Sequence, residues 1–457
     1  MKGGGKGSKI GDSLDALKGS LMRRMFRLVL VLFVAAFSLY AQDAVFKVGF
    51  AEADITPQKP MPMWGYGDRH DALSTGIRDP LHAKAVVIDV GKDKLAIVGL
   101  DLGRSPMSDM MARIKETVLK KAGVNYVMMS GSHTHHGPVL ELLDEEGKGK
   151  GKFDDGVKYV EGLEGMLTDA ILDAAKNVVD AKMGVASKQI DMNRNRHSKK
   201  EPKPRETELG VLRFDDTSGK TIALVVNFSA HPTMLPGGDL RFSAEYPGGM
   251  MNAVEKEFGA HCVFMQGSAG DMSVQTTPET NTPETFGAAL AAEVMALAKG
   301  IATAKPEAPS ITGMTKEYEL VPRVDLASPM IQGILKQAFF PELGNRALDE
   351  VGKGSIKPVL TVTVLNGNLA LVGASGEFFS NHSIRLKERS PMKTLFFGYC
   401  DGHHMYFPTI EGAAEGGYGG DATVSWVPVG TGEMMMNDAL VYIFKANGAF
   451  ENPMDRT

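Results

Sequence analysis

Three of the eleven histidines fall within four positions, in the segment Ser130-Gly131-Ser132-His133-Thr134-His135-His136-Gly137-Pro138. In extended chain His133 and His135 would point to the same side. Two imidazoles on one side suit a divalent metal, or one ligand beside one acid/base group. By itself the His-x-His spacing also fits a plain histidine-bearing loop. Two further segments have the same character. His231 stands in Asn227-Phe228-Ser229-Ala230-His231-Pro232-Thr233, and Glu377 in Ala374-Ser375-Gly376-Glu377-Phe378. Each follows an apolar, strand-like run. Two histidines and a carboxylate, with open positions left over, make a catalytic zinc ligand set. A fourth segment, Phe264-Met265-Gln266-Gly267-Ser268-Ala269-Gly270-Asp271-Met272-Ser273, runs from a strand into a glycine-rich turn. No Gly-Lys-Ser/Thr follows, so it is no phosphate loop, and no Gly-x-Ser-x-Gly elbow is present. Ser273 reads as a nucleophile or transition-state donor, or Ser273 and Asp271 simply cap the turn.

The elements that must hold these residues are strands and helices in alternation. Val45 to Ile55 is strand-like, and Ala83 to Val90 with Leu95 to Leu102 reads as a hairpin. Ser105 and Pro106 resemble an N-cap and N1 pair. Met107, Met110, Met111, Ile114 and Val118 then recur at helical spacing up to Gly123. Tyr126 to Ser130 is a short buried strand, Asp155 to Val179 a second helix, and Val211 to Phe214 with Ile222 to Phe228 another hairpin. Met250 to Phe258 is helical, Cys262 to Met265 a strand and Phe286 to Leu297 an alanine-rich helix. Val359 to Leu365 and Leu369 to Ala374 flank Asn366-Gly367, the clearest hairpin signal in the chain. Lys148, Lys150 and Lys152 alternate with glycine and read as a solvated linker or a lid. Sheet ends are where α/β proteins place their sites. The expectation is an α/β fold with mixed β-sheets flanked by helices, forming one large catalytic domain over residues 42–457.

Residues 1–41 stand apart. Arg23, Arg24 and Arg27 precede the apolar run Leu28 to Leu39, which ends at Ala41. That is the layout of a secretory signal, and the run is shorter than the ~20 residues needed to span a bilayer. Export, to the periplasm or outside the cell, is therefore expected. The 457 residues carry 50 basic and 55 acidic side chains, a formal charge of −5. Residues 1–41 hold seven of the basic groups and two of the acidic ones, so their removal leaves a net charge near −10. Such a balance argues against a nucleic-acid partner. Cys262 and Cys400 cannot form a disulfide scaffold, though they leave one pairing open.

Together these residues resemble the neutral/alkaline (non-lysosomal) ceramidases, from Gly49-Phe50-Ala51-Glu52-Ala53-Asp54-Ile55-Thr56 and Gly65-Tyr66-Gly67 to about Tyr418. The family's His-Thr-His-Ser-Gly-Pro looks like His133 to Pro138, which implies that His133 binds zinc and His135 is catalytic. Its Ala/Val-His-Pro-Thr motif matches His231 and its Gly-Glu-Phe motif matches Glu377, both zinc ligands. Tyr406-Phe407-Pro408-Thr409 looks like its Tyr-Val-Thr-Thr, which adds Tyr406 to the zinc set. Tyr418, twelve residues on, stands at the family's catalytic tyrosine, which implies a catalytic role for it. The Gln-Gly-Asn-x-Gly-Asp-Val-Ser motif points to Ser273 as the usual nucleophile. The family's catalytic arginine sits in an Asn-Arg motif that Asn193-Arg194 matches best, which implies that Arg194 is catalytic, with Arg196 in Asn195-Arg196 as the close alternative. Two positions depart from the pattern: Val274-Gln275 replaces Pro-Asn, and Gly419 replaces Glu after Tyr418. The resemblance implies a zinc-dependent amidohydrolase acting on a lipid-like N-acyl amide, N-acylsphingosine or a relative, with peripheral membrane contact left open. The competing classes are a metal-independent serine esterase and an idle binding protein on the same fold.

Overall fold

Alternation along the central strands explains why they read as largely apolar runs. In the strand His82–Asp89, Ala83, Ala85 and Val87 enter one buried cluster while Val86 and Ile88 enter another. The strand Thr221–Phe228 divides likewise, with Leu224 and Val226 on one side and Ala223 and Val225 on the other. Successive side chains point to opposite faces, so a strand covered on both faces is mostly apolar, and the buried Lys84 of His82–Asp89 is paired with Glu255 at 2.6 Å.

The computed structural model describes residues 45–351 and 354–450. The signal-like segment 1–41 lies outside the described residues. From Val45 onward the chain is one compact unit. An eight-stranded sheet runs, in spatial order, His261–Gln266, Thr221–Phe228, Glu208–Asp216, Val179–Gln189, Lys47–Asp54, His82–Asp89, Lys94–Leu100, Tyr126–Gly131. Its two outermost pairs are parallel and the rest antiparallel. A four-stranded sheet runs Ile311–Glu317, Val359–Leu365, Leu369–Ala374, Lys393–Phe397, and its last pair is parallel.

The sheets pack face to face. One buried cluster joins Val86, Ile97, Met128 and Val225 of the large sheet to Leu365, Leu371, Leu395 and Phe397 of the small one. Helices Ser108–Ala122 and Asp154–Lys176 cover part of the large sheet's outer face, and Glu245–Phe258 with Pro283–Lys299 cover the rest. Ser380–Arg389 and Thr431–Ala446 cover the small sheet. The order helix, sheet, sheet, helix is the α/β arrangement with mixed sheets that the sequence suggests. Each fully buried Val or Leu side chain contributes roughly 1.5–3 kcal/mol, so these clusters make a rigid base for the site.

Several local expectations need correction. The first helix begins at Ser108 with Met107 as its N-cap, and no side chain caps it. Ser105 and Pro106 lie two residues too early to serve. Its other end is as expected, with Gly123 in the left-handed region at φ 66°. The Lys148–Lys152 loop is tethered, since Lys148 pairs with Asp349, and Lys152 with Asp71 and Glu342. Those contacts fasten it to the helix Pro341–Val351, which the sequence reading passed over together with Pro329–Ala338 and the strand Val179–Gln189. That strand is mostly half-buried, so it lacks the apolar run that marks its neighbours. Cys262 and Cys400 are separate, buried free thiols. Among the described residues no helix is long and apolar enough to cross a membrane.

Candidate metal centre

Strand exits from both sheets meet at one place. Tyr126–Gly131 delivers His133, Thr221–Phe228 delivers His231, Leu369–Ala374 delivers Glu377, and Lys393–Phe397 leads to Tyr399 and His403. Gln266, at the end of its strand and fully buried, ties two of these exits together. Its Nε2 donates to the carbonyls of Ser132 and Ala230, both at 2.9 Å. Gly270 lets the glycine-rich turn close on the carboxylate's backbone, because a Cβ there would stand 2.4 Å from the Glu377 carbonyl oxygen. Gly65, at φ 107°, does the same beside the His135 ring. Asp271 fixes the far side of the turn. Its carboxylate accepts from Ser380 N at 2.7 Å, Ser380 Oγ at 3.0 Å and Asn195 Nδ2 at 2.6 Å. Asp271 therefore ties the turn to the start of the helix Ser380–Arg389 and to Asn195, where turn-capping was expected.

At the meeting point several acceptors face one another, and Arg196 Nη2 is a donor that reaches one of them, His231 Nε2, at 2.8 Å. His133 Nδ1 donates to the Gly103 carbonyl at 2.8 Å, and His231 Nδ1 to the Ala269 carbonyl at 2.6 Å. Both imidazoles thereby turn an Nε2 lone pair inward, 3.1 Å from each other. Glu377 Oε2 lies 3.3 Å from His133 Nε2 and 3.2 Å from His231 Nε2. It is buried and has no hydrogen-bond partner. A buried, unpaired carboxylate oxygen costs several kcal/mol unless something positive sits against it. Burial alone would raise the Glu377 pKa, but His133 above all, with His231 and His403, holds it well below the usual range. Burial and Arg196 push the His231 pKa down to about 3, so it is a neutral ligand-type imidazole at neutral pH.

The donor set fits a metal. Backbone carbonyls that fix the tautomer of ligating histidines are the usual outer support of such sites. A tetrahedral ion with bonds of about 2.0–2.1 Å needs donors about 3.4 Å apart, close to the 3.1–3.3 Å separations here. Two imidazole nitrogens with one carboxylate oxygen favour zinc among common divalent ions.

The remaining groups surround this point. His135 Nε2 is 3.3 Å from His133 Nε2, and its buried Nδ1 has no partner. Burial, His133 and His231 lower its pKa well below normal, leaving a neutral imidazole. His403 Nε2 reaches the other carboxylate oxygen, Glu377 Oε1, at 3.3 Å. Tyr406 is brought beside Glu377 by a short parallel pairing of Glu377–Phe378 with Tyr406–Phe407. Burial and the Glu377 charge raise its pKa, so without a metal the phenol stays protonated. A cavity of about 110 Å³ opens onto Glu377, His135, His403 and Tyr406, and Trp64, Phe339, Phe340 and Leu343 supply apolar wall.

Known proteins share this fold. Residues 46–289 match the family model described as neutral/alkaline non-lysosomal ceramidase, N-terminal. The chain belongs to the neutral/alkaline non-lysosomal ceramidase family. Among solved structures, the neutral ceramidase from Pseudomonas aeruginosa is similar in fold, with a TM-score of 0.67 and 17% sequence identity. The similarity covers 89% of this chain and 75% of that one. A structure described as ceramidase complexed with C2 is similar to the same degree, with a TM-score of 0.67 and 17% identity over 89% of this chain and 75% of its own. No curated protein matches the sequence. Family membership makes the chain a member of a group of amide-bond hydrolases, and the His/Glu cluster gives it a place for a metal.

The residues that the ceramidase motifs single out fare differently. His133, His135, His231, Glu377 and Tyr406 come together as described. Arg194 does not join them. It is exposed on the strand Asn193–Asn195, whose two asparagines face inward. Arg196 takes the place instead. As a whole residue it is exposed, yet its Nη2 donates to His231 Nε2 at 2.8 Å, the Gly270 carbonyl at 3.0 Å and Tyr406 Oη at 3.1 Å. Tyr418 stands at the rim, 67% exposed, with its ring edge-on to Tyr406 at 5.5 Å. Ser273 is attached through its backbone, bridged to His231 and paired with Arg194. Its hydroxyl has no hydrogen bond to His135 or to any other described residue. The sequence reading missed His403, Tyr399 and Trp64. Tyr399 lays its ring against His133, centroids 4.2 Å apart, and Trp64 sits edge-on to His133, His135 and His403. The pair His403-His404 just before Tyr406 was the available signal.

Proposed function

We propose that this chain is an exported zinc hydrolase that cleaves the amide bond of a lipid-like N-acyl substrate of the N-acylsphingosine class. The observation that carries the reading is the buried Glu377 Oε2, unpaired and faced by two histidine lone pairs. His133, His231, Glu377 and Tyr406 would hold the ion. When bound, the metal supplies Lewis-acid polarisation of the scissile carbonyl and stabilises developing negative charge. The chain's own residues do the rest. His135, a neutral imidazole open to the cavity, takes the proton of the water that attacks the carbonyl carbon and passes it to the amine nitrogen as the C–N bond breaks, leaving a carboxylic acid and an amine. Arg196 keeps a fixed positive charge beside Tyr406 and His231, where an oxyanion would be stabilised. The apolar cavity wall is suited to an acyl chain or sphingoid tail and keeps bulk water from the reacting bond. Export rests on the charged and apolar segments around Arg23 to Leu39.

The first test is metal content of the purified chain, with hydrolysis of a fluorescent N-acyl amide series before and after chelation. One zinc per chain and chelator-sensitive cleavage are expected. Chelator-insensitive cleavage would point to the serine esterase class, and absence of both metal and activity to a binding protein. N-terminal sequencing of secreted protein should find a start near residue 42.

Ser273 has two competing roles, direct attack or support of substrate and oxyanion. Among the described residues no base lies within hydrogen-bonding reach of its hydroxyl, so the supporting role is expected. Ser273→Ala should keep kcat within about tenfold of the parent, roughly 1.4 kcal/mol. A loss of a thousandfold or more would make it the nucleophile.

A further inference from the structure

His403 touches the carboxylate on the side away from the other histidines. Its Nε2 is 3.3 Å from Glu377 Oε1, whereas His133 and His231 face Oε2. His403 is buried, and Trp64 holds it edge-on at 5.5 Å while Tyr399 stacks near it at 6.2 Å, 16° from parallel. The backbone that delivers it is unusual. Asp401 and Met405 lie in the left-handed region at φ 60° and 59°, with Gly402 at φ 143° between them. Asp401 anchors this turn to the His133 strand, its N–H donating to the Met129 carbonyl at 2.8 Å and its Oδ1 accepting from Met129 N at 3.0 Å. The turn thus brings one imidazole to one carboxylate oxygen.

Two overlapping donor groups are present, His133/His135/His231 and His133/Glu377/His403. A single ion between them reconciles both. His133 and His231 share the Oε2 side of Glu377, and His403 occupies Oε1. We infer that His403 is a positioning residue, which donates its Nε2 proton to Glu377 Oε1 and so aims Oε2 at the metal. A carboxylate is otherwise free to rotate about its last torsion, and a partner on the far oxygen removes that freedom. Outer-shell partners of this kind typically change metal affinity by 10–100-fold. The inference rests on the zinc reading above.

The test is zinc affinity of the full chain, measured by competition with a chelator of known affinity, with no activity assay involved. His403→Phe keeps the ring bulk and removes the donor, while His403→Gln keeps an N–H donor of similar reach. The expected result is a 10–100-fold weaker zinc affinity for H403F and a value within about threefold of the parent for H403Q. Parental affinity in H403F would overturn the inference. Equal loss of stoichiometric zinc in both variants would also overturn it, since it would make His403 a direct ligand. A parent chain that binds no zinc would instead defeat the underlying metal reading. If H403F does not fold, the two-point comparison passes to H403Q and His403→Leu, with the same outcomes.

Discussion

Glu377→Ala should abolish zinc retention and lower kcat/KM on an N-acyl amide by a thousandfold or more, a loss of at least about 4 kcal/mol. Among the described residues the carboxylate is the only negative charge in contact with His133, His231 and His403. Without it the imidazoles of His133 and His231 and the Tyr406 phenol remain, and the set has lost its carboxylate charge against a doubly charged ion. Glu377→Gln sharpens the test. It keeps an oxygen that accepts from His403 but removes the charge, so it too should lose the metal. Metal analysis and steady-state kinetics on the two variants decide the matter. If either keeps one zinc per chain, the ion is held elsewhere. The fold should survive in both. The large and small sheets share a separate apolar cluster below the site, and thermal melting of the metal-free forms would show it.

The second large effect separates two arginines that are neighbours in sequence. Arg196→Ala should reduce kcat by 100- to 1000-fold, about 2.7–4 kcal/mol, the usual cost of removing a transition-state donor. Arg194→Ala should leave kcat within threefold. Only Arg196 reaches the cluster, through His231, Tyr406 and the Gly270 carbonyl. Arg196→Lys is expected to rescue little, because a single ammonium cannot reproduce a planar fork with several donors. Equal losses in R194A and R196A would mean that this strand matters as a whole and not through one guanidinium.

Much of the scaffold was legible because the physics is local. Strands buried on both faces read as largely apolar runs, and Asn366-Gly367 marked its hairpin. Glycines Gly123 and Gly259 marked helix ends through their left-handed backbone. His133, His231 and Glu377 stood out because a polar residue directly after such a run is where an α/β fold leaves a sheet. Amphipathic and half-buried elements were harder. Val179–Gln189 and the helices Pro329–Ala338 and Pro341–Val351 lack the apolar continuity that reveals a core element.

The choice between Arg194 and Arg196 belonged to the tertiary structure. Strand alternation would put both on one side of the chain. The strand ends at Asn195, whose Oδ1 accepts from the N–H groups of His197 and Ser198, and the Arg196 N–H donates to the Asp271 carbonyl at 2.8 Å. That turn re-aims Arg196 into the cluster. His403 was hidden for a similar reason: its place depends on a turn with three residues at positive φ, anchored to a strand some 270 residues earlier in the chain. By itself the sequence determined which donor types leave the sheets, since burial and hydrogen-bonding preference act within a few residues. Which of those donors share one oxygen, and which neighbour holds it in place, was decided only when distant strand ends packed together, because a metal site is set by distances of a few ångströms between groups the chain keeps far apart.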